Sequence, residues 1–462
     1  MLTPLLERFA EHFPIPTMAR ALLERSFHPE QLDAWFEQQA EGQYTRKLLF
    51  STLFELMMQV VTRRQPSVNA AYQGMGESIP VSLKAVYDKL NGLEPKVSAG
   101  LVGYSAQQAR EVIEALEGER PPRLPGYRIK ILDGNALGGR ERRLAETRGK
   151  RAAPLPGKTL AVLEPALELI THLIAEPDAY TQERALLPEL QDAIEAGDLW
   201  IMDRNFCVAS WIATLHAREA AVLVREHQQI PIRPLEPMRL VATTEYGCLS
   251  EQRVTLPGLT KDSARIEVRR VRLDLNTPTR EGETRLTFLT TLPPEVADAA
   301  EVAALYRERW TVEKAFLHLT TQLRCELKTL AYPSAALFGF AQAVVAYNAL
   351  AVIRAALRRT YDAHTIDTQI SGYYLVNEMA RVTDSLETLV VPKEWAVFHT
   401  LTPQAMAEWL LTTAEQVQLG KYRKHSRGPK KPAPPRTPQS KKTHVSVARL
   451  LAQRRTTTAT AD

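Results

Sequence analysis

The sequence predicts an α/β fold built around a mixed sheet, and two observations support this. Apolar segments of strand length alternate with helical segments between about residues 125 and 225. Two of the strand segments run directly into an aspartate, Ile-Lys-Ile-Leu into Asp133 and Leu-Trp-Ile-Met into Asp203. Strands that alternate with helices form a sheet covered by helices, and ligands collect beyond the carboxyl ends of such strands.

Residues 1–122, before the first strand, read as a helical DNA-binding domain. Candidate helices cover residues 29–39, 45–63, 67–73, 81–90 and 105–116. The pair 67–73 and 81–90 resembles a helix-turn-helix, which makes Ser82, Lys84 and Lys89 candidates for the DNA-facing side. A small helical bundle without a nucleic-acid role is the alternative, and it stays open.

Residues 123–229 form the first part of the predicted core. The strand and helix patterns follow one another at 127–135, 158–166, 167–177, 181–196 (helix), 197–203, 210–217 (helix) and 220–227. This order of three strands, helix, strand, helix and strand matches the ribonuclease H-like fold. The basic stretch 142–158 is rich in turn residues and reads as a loop.

The character of the sequence changes between residues 230 and 292. β-branched residues alternate with polar ones and are separated by turn residues, which predicts a β-rich insertion. Residues 293–360 then complete the core. Their uncharged run 331–353 reads as a helix buried against the sheet rather than a membrane span, because it is rich in alanine and interrupted by proline, glutamine and asparagine. Residues 361–420 read as a C-terminal helical region.

The chain has 462 residues, with 58 Lys and Arg against 53 Asp and Glu. Twelve of the basic residues lie between Lys421 and Arg455, where there is no acid, so the excess positive charge is in a tail. Such a tail, predicted to be flexible over 421–462 and proline-rich at 428–438, attracts nucleic acid.

Cysteine usage and the amino terminus indicate the compartment. The three cysteines, Cys207, Cys248 and Cys325, are far apart and show no metal-ligand spacing. A sparse, odd set is typical of a reducing cytosol, and residues 1–13 lack a signal-peptide pattern. We therefore expect a cytoplasmic protein that is not in a membrane.

Residues 301–330 contain neither glycine nor proline and predict a helix. Tyr306, Arg309 and Glu313 are spaced i, i+3 and i+7, which places them on one helical face. A carboxylate on a cation, with a guanidinium and a phenol on phosphate oxygens, could hold a metal-bound phosphodiester. Spacing alone favours the alternative, a solvated face with salt bridges.

Asp133, Asp203 and Glu313 together predict a metal site. Two aspartates at the ends of adjacent strands can share one site, and a helix-borne glutamate packed across those ends completes it. Three carboxylates at short range repel unless cations neutralise them. Two divalent ions about 3.5–4 Å apart, Mg²⁺ or alternatively Mn²⁺, would do so. Each aspartate taken singly also fits a turn residue, and Asp-Gly at 133–134 is a strong turn signal.

The run Leu-Tyr-Arg-Glu-Arg-Trp-Thr-Val-Glu-Lys-Ala-Phe at 305–316 resembles the signature helix of DDE transposases of the type-four family of bacterial insertion sequences. The family motif Tyr-x2-Arg-x3-Glu-x6-Lys falls on Tyr306, Arg309 and Glu313, while its lysine position is Thr320. The resemblance implies that Asp133, Asp203 and Glu313 are the catalytic, metal-binding acids.

The resemblance also implies roles for neighbouring residues. Tyr306 and Arg309 are expected to contact DNA phosphates near the cleavage site. Trp310 is expected close to the terminal base, with core packing as its alternative role. Arg324, eleven residues after Glu313 and on the same face of the predicted helix, is the candidate substitute for the missing lysine.

The function implied is cut-and-paste DNA transposition. The enzyme would bind terminal inverted repeats, cleave each element end and join the freed 3′-hydroxyl to target DNA, as a homodimer in the synaptic complex. Two alternatives stay open: a metal-dependent nuclease or resolvase without strand transfer, and a catalytically inactive, transposase-derived DNA-binding protein.

Overall fold

The computed structural model describes residues 3–43, 47–138, 144–148, 150, 152–260, 262–279, 282–327, 329–425, 428 and 444–459. The chain up to residue 115 is helical. Its helices are α1 (Pro4–His12), α2 (Pro14–Phe27), α3 (Pro29–Gln39), α4 (Phe50–Val61), α5 (Val68–Met75), α6 (Leu83–Gly92) and α7 (Pro95–Ala115). Proline in the first turn of α1, α2, α3 and α7 removes an amide that has no helical partner there.

The central sheet begins after these helices. Its first part consists of β1 (Arg128–Ala136), β3 (Lys158–Glu164), β4 (Leu169–Glu176), β5 (Asp198–Met202) and β6 (Ala221–Arg225), with β2 (Ala153–Leu155) outside it and α8 (Ala209–Ala217) between β5 and β6. The strand order is β4-β3-β1-β5-β6. β1 runs antiparallel to β3 and parallel to β5, which confirms the predicted mixed sheet.

The strands of this sheet are buried on both faces, because successive side chains point to opposite sides. Ile131, Ile201 and Leu223 lie in one hydrophobic core, together with residues of the helices. Their neighbours one position later, Leu132, Met202 and Val224, lie in a second core. This alternation determines which of the two cores the side chain of the next residue faces.

The predicted insertion extends the sheet. It contributes β7 (Arg233–Pro234), β8 (Arg239–Thr244), β9 (Gly247–Leu256), β10 (Ile266–Leu275) and β11 (Arg285–Thr290). β11 pairs with β6 in antiparallel fashion, so β6-β11-β10-β9 continues the order of the core strands. Among the described residues, the insertion and the core form one ten-stranded sheet.

The helix predicted at 181–196 is wrong. Two 3₁₀ segments, Glu183–Ala185 and Leu187–Ala193, take its place. Pro188 lies in the middle of the predicted span, where its ring would clash with the preceding helical turn and its missing amide would break the hydrogen-bond ladder.

The segment predicted as one helix from 301 to 330 is divided. α9 (Ala299–Tyr306) is followed by a 3₁₀ turn, Arg307–Arg309, and then by α10 (Trp310–Thr321). Dihedral angles through the turn remain in the right-handed helical region, so the axis is tightened rather than broken. The helix nevertheless ends at Thr321, nine residues before the predicted end at Leu330.

Helices complete the chain after α10: α11 (Pro333–Thr360), α12 (Ala363–Gln369), α13 (Gly372–Leu389), α14 (Pro392–Trp395) and α15 (Pro403–Ala414). α11 is long and apolar enough to cross a membrane, but 83% of its most apolar window is buried inside the protein. It packs against both α7 and β4, and the helices of residues 1–122 share one hydrophobic core with it. This agrees with the predicted buried helix.

Part of the basic tail is ordered, which corrects the prediction of a flexible segment over 421–462. β12 (His444–Ser446) pairs in parallel with β2, and α16 (Val447–Ala459) follows it. The guanidinium of Arg449 lies 2.6 Å from the Asp178 carboxylate, and Arg454 pairs with Glu146 at 2.5 Å. The predicted proline-rich stretch 428–438 lies outside the described residues except for Gly428.

Candidate active site

Asp133 and Asp203 lie at the same level of two neighbouring parallel strands. The last paired residues of β1 and β5 are Leu132 and Met202, so each aspartate is the next residue along its strand. Both also have the parity of Ile131 and Ile201, which places them on the sheet face that packs against α10 and α11. The strand pattern therefore brings the two carboxylates to one edge and one face.

A backbone amide fixes one oxygen of each aspartate. Gly134 N–H donates to Asp133 Oδ1 at 2.9 Å, and Asn205 N–H donates to Asp203 Oδ1 at 2.7 Å. The turn interpretation holds only for Asp203, which caps a short 3₁₀ turn. Asp133 is a strand residue, because β1 continues to Ala136 and pairs there with β3.

Glu313 is connected to Asp133 through their shared partner, Arg309. The Arg309 guanidinium donates to Asp133 Oδ2 at 3.3 Å and to Glu313 Oε1 at 2.6 Å. Glu313 follows Arg309 by one α-helical turn, so the two side chains are neighbours on α10. Asp133, Asp203, Arg309 and Glu313 are called the acid cluster below.

The acid cluster is short of positive charge. Burial raises the pKa of Asp133 to about 7; Arg309 opposes that rise, while the nearby Asp203 and Glu313 carboxylates add to it. Arg309 pairs with Asp133 and Glu313, and the third acid, Asp203, adds a further negative charge beside them. A carboxylate with so high a pKa is the electrostatic mark of a site that lacks a counter-charge.

Tyr306 lies in the protein core. Its side chain is 8% exposed, and its ring packs on Phe288 with centroids 4.7 Å apart. Burial raises the pKa of its phenol to about 12. Because Tyr306 and Arg309 are three residues apart in a 3₁₀ turn, their side chains eclipse. The Tyr306 phenol interacts with the Arg309 side chain, and its predicted phosphate contact stays a prediction.

Trp310 is on the surface beside the acid cluster. It is 56% exposed, and the Arg309 guanidinium lies 5.3 Å from the centroid of its ring. The alternative role of core packing is therefore wrong. The indole is largely exposed next to Arg309, and its expected position near the terminal base stays a prediction.

Arg324 is not on the helix that carries Glu313, so the predicted shared helical face is wrong, while its role as a substitute for the family lysine stays a prediction. α10 ends before it, and its guanidinium donates to the carbonyl oxygens of Gln65 and Pro66 at 3.3 and 3.0 Å. Thr320 is exposed on the last turn of α10. Its hydroxyl donates to the carbonyls of Phe316 and Leu317.

The two lysines predicted to face DNA differ in their surroundings. Lys84 is exposed on α6, which Ser82 caps through its hydroxyl. Lys89 is half-buried, its ammonium lies 5.0 Å from the centroid of the Phe36 ring, and burial lowers its pKa. The structure thus leaves Lys84 exposed and Lys89 half-buried, and the DNA-facing role of both stays a prediction.

The donor atoms of the acid cluster suit a hard divalent cation, because all three acids supply carboxylate oxygens. Their present spacing does not: in the described part of the chain, no group of three or more His, Cys, Asp or Glu side chains is close enough to hold a metal ion. Arg309 stands between Asp133 and Glu313. A cation bound by both carboxylates would therefore have to replace the guanidinium there.

The match to a known family agrees with this geometry. A family model described as the transposase DDE domain matches residues 125–349, a range that contains all three acids. The chain carries a transposase DDE domain. No curated protein matches the chain.

The DDE domain begins just before β1 and ends within α11, so it includes the whole ten-stranded sheet and the turn with Arg309. Sequence reasoning predicted Asp133, Asp203 and Glu313 but not Glu183, whose carboxylate binds Asn205 in the turn after Asp203 and lies against Gly134 in β1. A single sequence carries no motif for Glu183, since its partners come from distant segments.

Proposed function

We propose that the protein is an insertion-sequence transposase of the type-four kind. It binds the terminal inverted repeats of its element, cleaves the DNA there and joins the freed 3′-hydroxyl ends to target DNA, acting as a homodimer. The observation that carries the proposal is that Asp133 and Glu313 share Arg309, with Asp203 next to Asp133 on the neighbouring strand, within a transposase DDE domain.

In this proposal, Asp133, Asp203 and Glu313 hold two Mg²⁺ ions, or Mn²⁺ in their place. When bound, such ions activate water or a hydroxyl group for attack and neutralise charge on the phosphate. The protein supplies the positions of the acids: the register of β1 with β5 and the docking of α10 fix all three before DNA arrives.

Arg309 has a second role in the proposed reaction. Once cations neutralise Asp133 and Glu313, its guanidinium no longer needs those partners. It lies at the solvent boundary beside Trp310, where it can make a bidentate contact with a phosphate. The same arginine thereby neutralises the acids before cations bind and the DNA backbone after they bind.

Two further features support DNA as the partner. Lys84 is exposed on α6. The tail between Lys421 and Arg455 contains twelve basic residues and no acid, of which Arg449 and Arg454 are paired with carboxylates of the core. The remaining tail charges are matched to the phosphate backbone in sign and are indifferent to base sequence.

The test is a comparison of cleavage and binding on DNA that carries the flanking ends of the element. Asp133→Ala, Asp203→Ala and Glu313→Ala should each abolish cleavage while leaving the gel-shift affinity for the ends nearly unchanged. Glu226→Ala, which removes a carboxylate paired with Arg270 elsewhere in the sheet, is the matched control and should still cleave.

The products separate the proposal from its alternatives. Joined target products support a transposase, while cutting without joining indicates a nuclease. Binding without cutting by the wild-type protein, at any Mg²⁺ or Mn²⁺ concentration, would contradict the proposal and identify an inactive DNA-binding protein.

A further inference from the structure

Glu183 is linked by hydrogen bonds to one of the catalytic acids. It begins a 3₁₀ turn between β4 and β5, and its Oε2 accepts a hydrogen bond from Asn205 Nδ2 at 2.6 Å. The backbone amide of Asn205 in turn donates to Asp203 Oδ1 at 2.7 Å. Asn205 therefore links the Glu183 carboxylate to the Asp203 carboxylate.

The same carboxylate lies against the residue after Asp133. A Cβ atom placed on Gly134 would lie 2.9 Å from Glu183 Oε2 and closer still to Cδ and Oε1, and these are its three nearest neighbours. Gly134 pairs with Leu160 within the β1–β3 ladder, so the strand itself does not require a glycine. A side chain at position 134 would instead displace the Glu183 carboxylate from its present place.

Glu183 approaches β1 and β5 from the sheet face opposite α10. Gly134 has the parity of Leu132, whose side chain lies in the core opposite α10, and Leu186 and Leu187, just after Glu183, belong to that same core. Asp133 has the opposite parity and faces α10. The carboxylate thus supports the ends of β1 and β5 on the face away from Glu313.

We propose that Glu183 is a positioning residue that sets the spacing of Asp133 and Asp203. It holds the turn after β5 through Asn205 and packs against β1 at Gly134, so this turn and the strand segment that carries Asp133 cannot shift independently. The inference rests on the proposed function, because it assigns Glu183 to the metal-binding geometry of the acids. Partners behind metal ligands commonly affect metal affinity or activity by about 10–100-fold.

The experiment measures Mn²⁺ binding by titration calorimetry on the full chain, together with the Mn²⁺ concentration that gives half-maximal cleavage of end DNA. Glu183→Ala is expected to weaken Mn²⁺ binding by about tenfold and to raise that concentration similarly. Glu183→Gln keeps an acceptor oxygen for Asn205 and is expected to stay close to wild type. Glu189→Ala, which removes an exposed carboxylate from the next 3₁₀ segment, is the matched control.

Gly134→Ala provides an independent route to the same effect. Its methyl group would displace the Glu183 carboxylate, so it should weaken Mn²⁺ binding as Glu183→Ala does. The double variant Gly134→Ala with Glu183→Ala should be no weaker than either single variant, because both changes remove the same support. Melting temperatures of all variants, measured in parallel, separate this effect from unfolding.

Unchanged Mn²⁺ binding in a folded Glu183→Ala protein would overturn the inference. So would a Glu183→Gln protein as impaired as Glu183→Ala, which would indicate that the charge acts directly on the cation. Asp133→Ala, titrated in parallel, distinguishes failure of the proposed metal site from failure of the proposed role of Glu183. If it too leaves Mn²⁺ binding unchanged, the proposed metal site fails; if it alone abolishes binding, only the role of Glu183 fails.

Discussion

Arg309 and Glu168 each stand at the centre of a group of ionised side chains, and the two groups differ in their balance. Glu168 is paired with Arg120 at 2.9 Å, with Arg354 at 3.2 Å and with Arg358, and Asp367 contacts the same three arginines. This Glu168 cluster has two acids for three guanidinium groups. The acid cluster has three acids for one.

The pKa values of Glu168 and Asp133 reflect the ratio of acids to guanidinium groups in their clusters. In the Glu168 cluster the pKa of Glu168 falls to about 2, because the attraction of Arg354, Arg120 and Arg358 outweighs the opposing effect of burial, which is the largest single cause. In the acid cluster burial raises the pKa of Asp133 to about 7, and one arginine does not outweigh it. A compensated cluster holds elements together, whereas an under-compensated one has room for a cation.

Breaking the Glu168 cluster should give the largest effect on stability. Glu168→Gln leaves three guanidinium groups with Asp367 alone, and we expect the free energy of unfolding to fall by about 3–5 kcal/mol, as for other broken buried pairs. Asp133→Asn removes one of three like charges and should change stability little or raise it. Urea unfolding curves of both variants measure this, and equal losses would remove the distinction between the clusters.

The same cluster predicts a pH dependence. The pKa of Glu168 is lowered from its ordinary 4.5 to about 2 in the folded protein, so its stabilising effect is fully present above pH 4.5 and is lost as the pH falls towards 2. The Glu168→Gln protein should lose less stability over that interval. Parallel slopes for variant and wild type between pH 5 and about 3 would argue against the assignment.

Removing the one cation of the acid cluster should give an intermediate effect. Arg309→Gln leaves Asp133 and Glu313 without their shared partner, and we expect a loss of about 1–3 kcal/mol in the absence of divalent ions. Mn²⁺ should stabilise this variant more than wild type, because no guanidinium competes for the carboxylates.

Arg270→Gln is the control for that comparison. Arg270 forms a two-point ion pair with Glu226 rather than with a member of the acid cluster, with N–O distances of 2.7 and 2.8 Å. It should lose stability without gaining any response to Mn²⁺. A similar Mn²⁺ response in the Arg309 and Arg270 variants would show that Arg309 does not occupy a cation position.

The contrast also shows what a single sequence can reveal. Asp133 and Asp203 were predictable because strand periodicity is local and fixes both the end and the face of each strand. The Glu168 cluster was not, since its members come from the loop after α7, the β3–β4 turn, α11 and α12. The end of α10 at Thr321, after which Arg324 lies against the carbonyls of Gln65 and Pro66, was not predictable either.

The smallest expected effects concern Thr320 and Arg324. Thr320→Lys, at the exposed family lysine position, should leave stability within about 0.5 kcal/mol of wild type and increase the cleavage rate by up to about tenfold through a phosphate contact. Arg324→Ala should cost about 1–2 kcal/mol of stability without changing cleavage in either background. Single-turnover rates of the four combinations measure this, and a cleavage defect specific to Arg324→Ala would support its role as a substitute for the family lysine.

The most direct test of the under-compensated acid cluster is the binding of Mn²⁺ to the protein without DNA, followed by the electron paramagnetic resonance signal of the free ion. Wild type should bind Mn²⁺, and Asp133→Asn, Asp203→Asn and Glu313→Gln should each weaken that binding by at least about tenfold. Glu226→Gln, in the compensated pair with Arg270, should bind as wild type does. Equal Mn²⁺ affinity in wild type and all three acid variants would contradict the account.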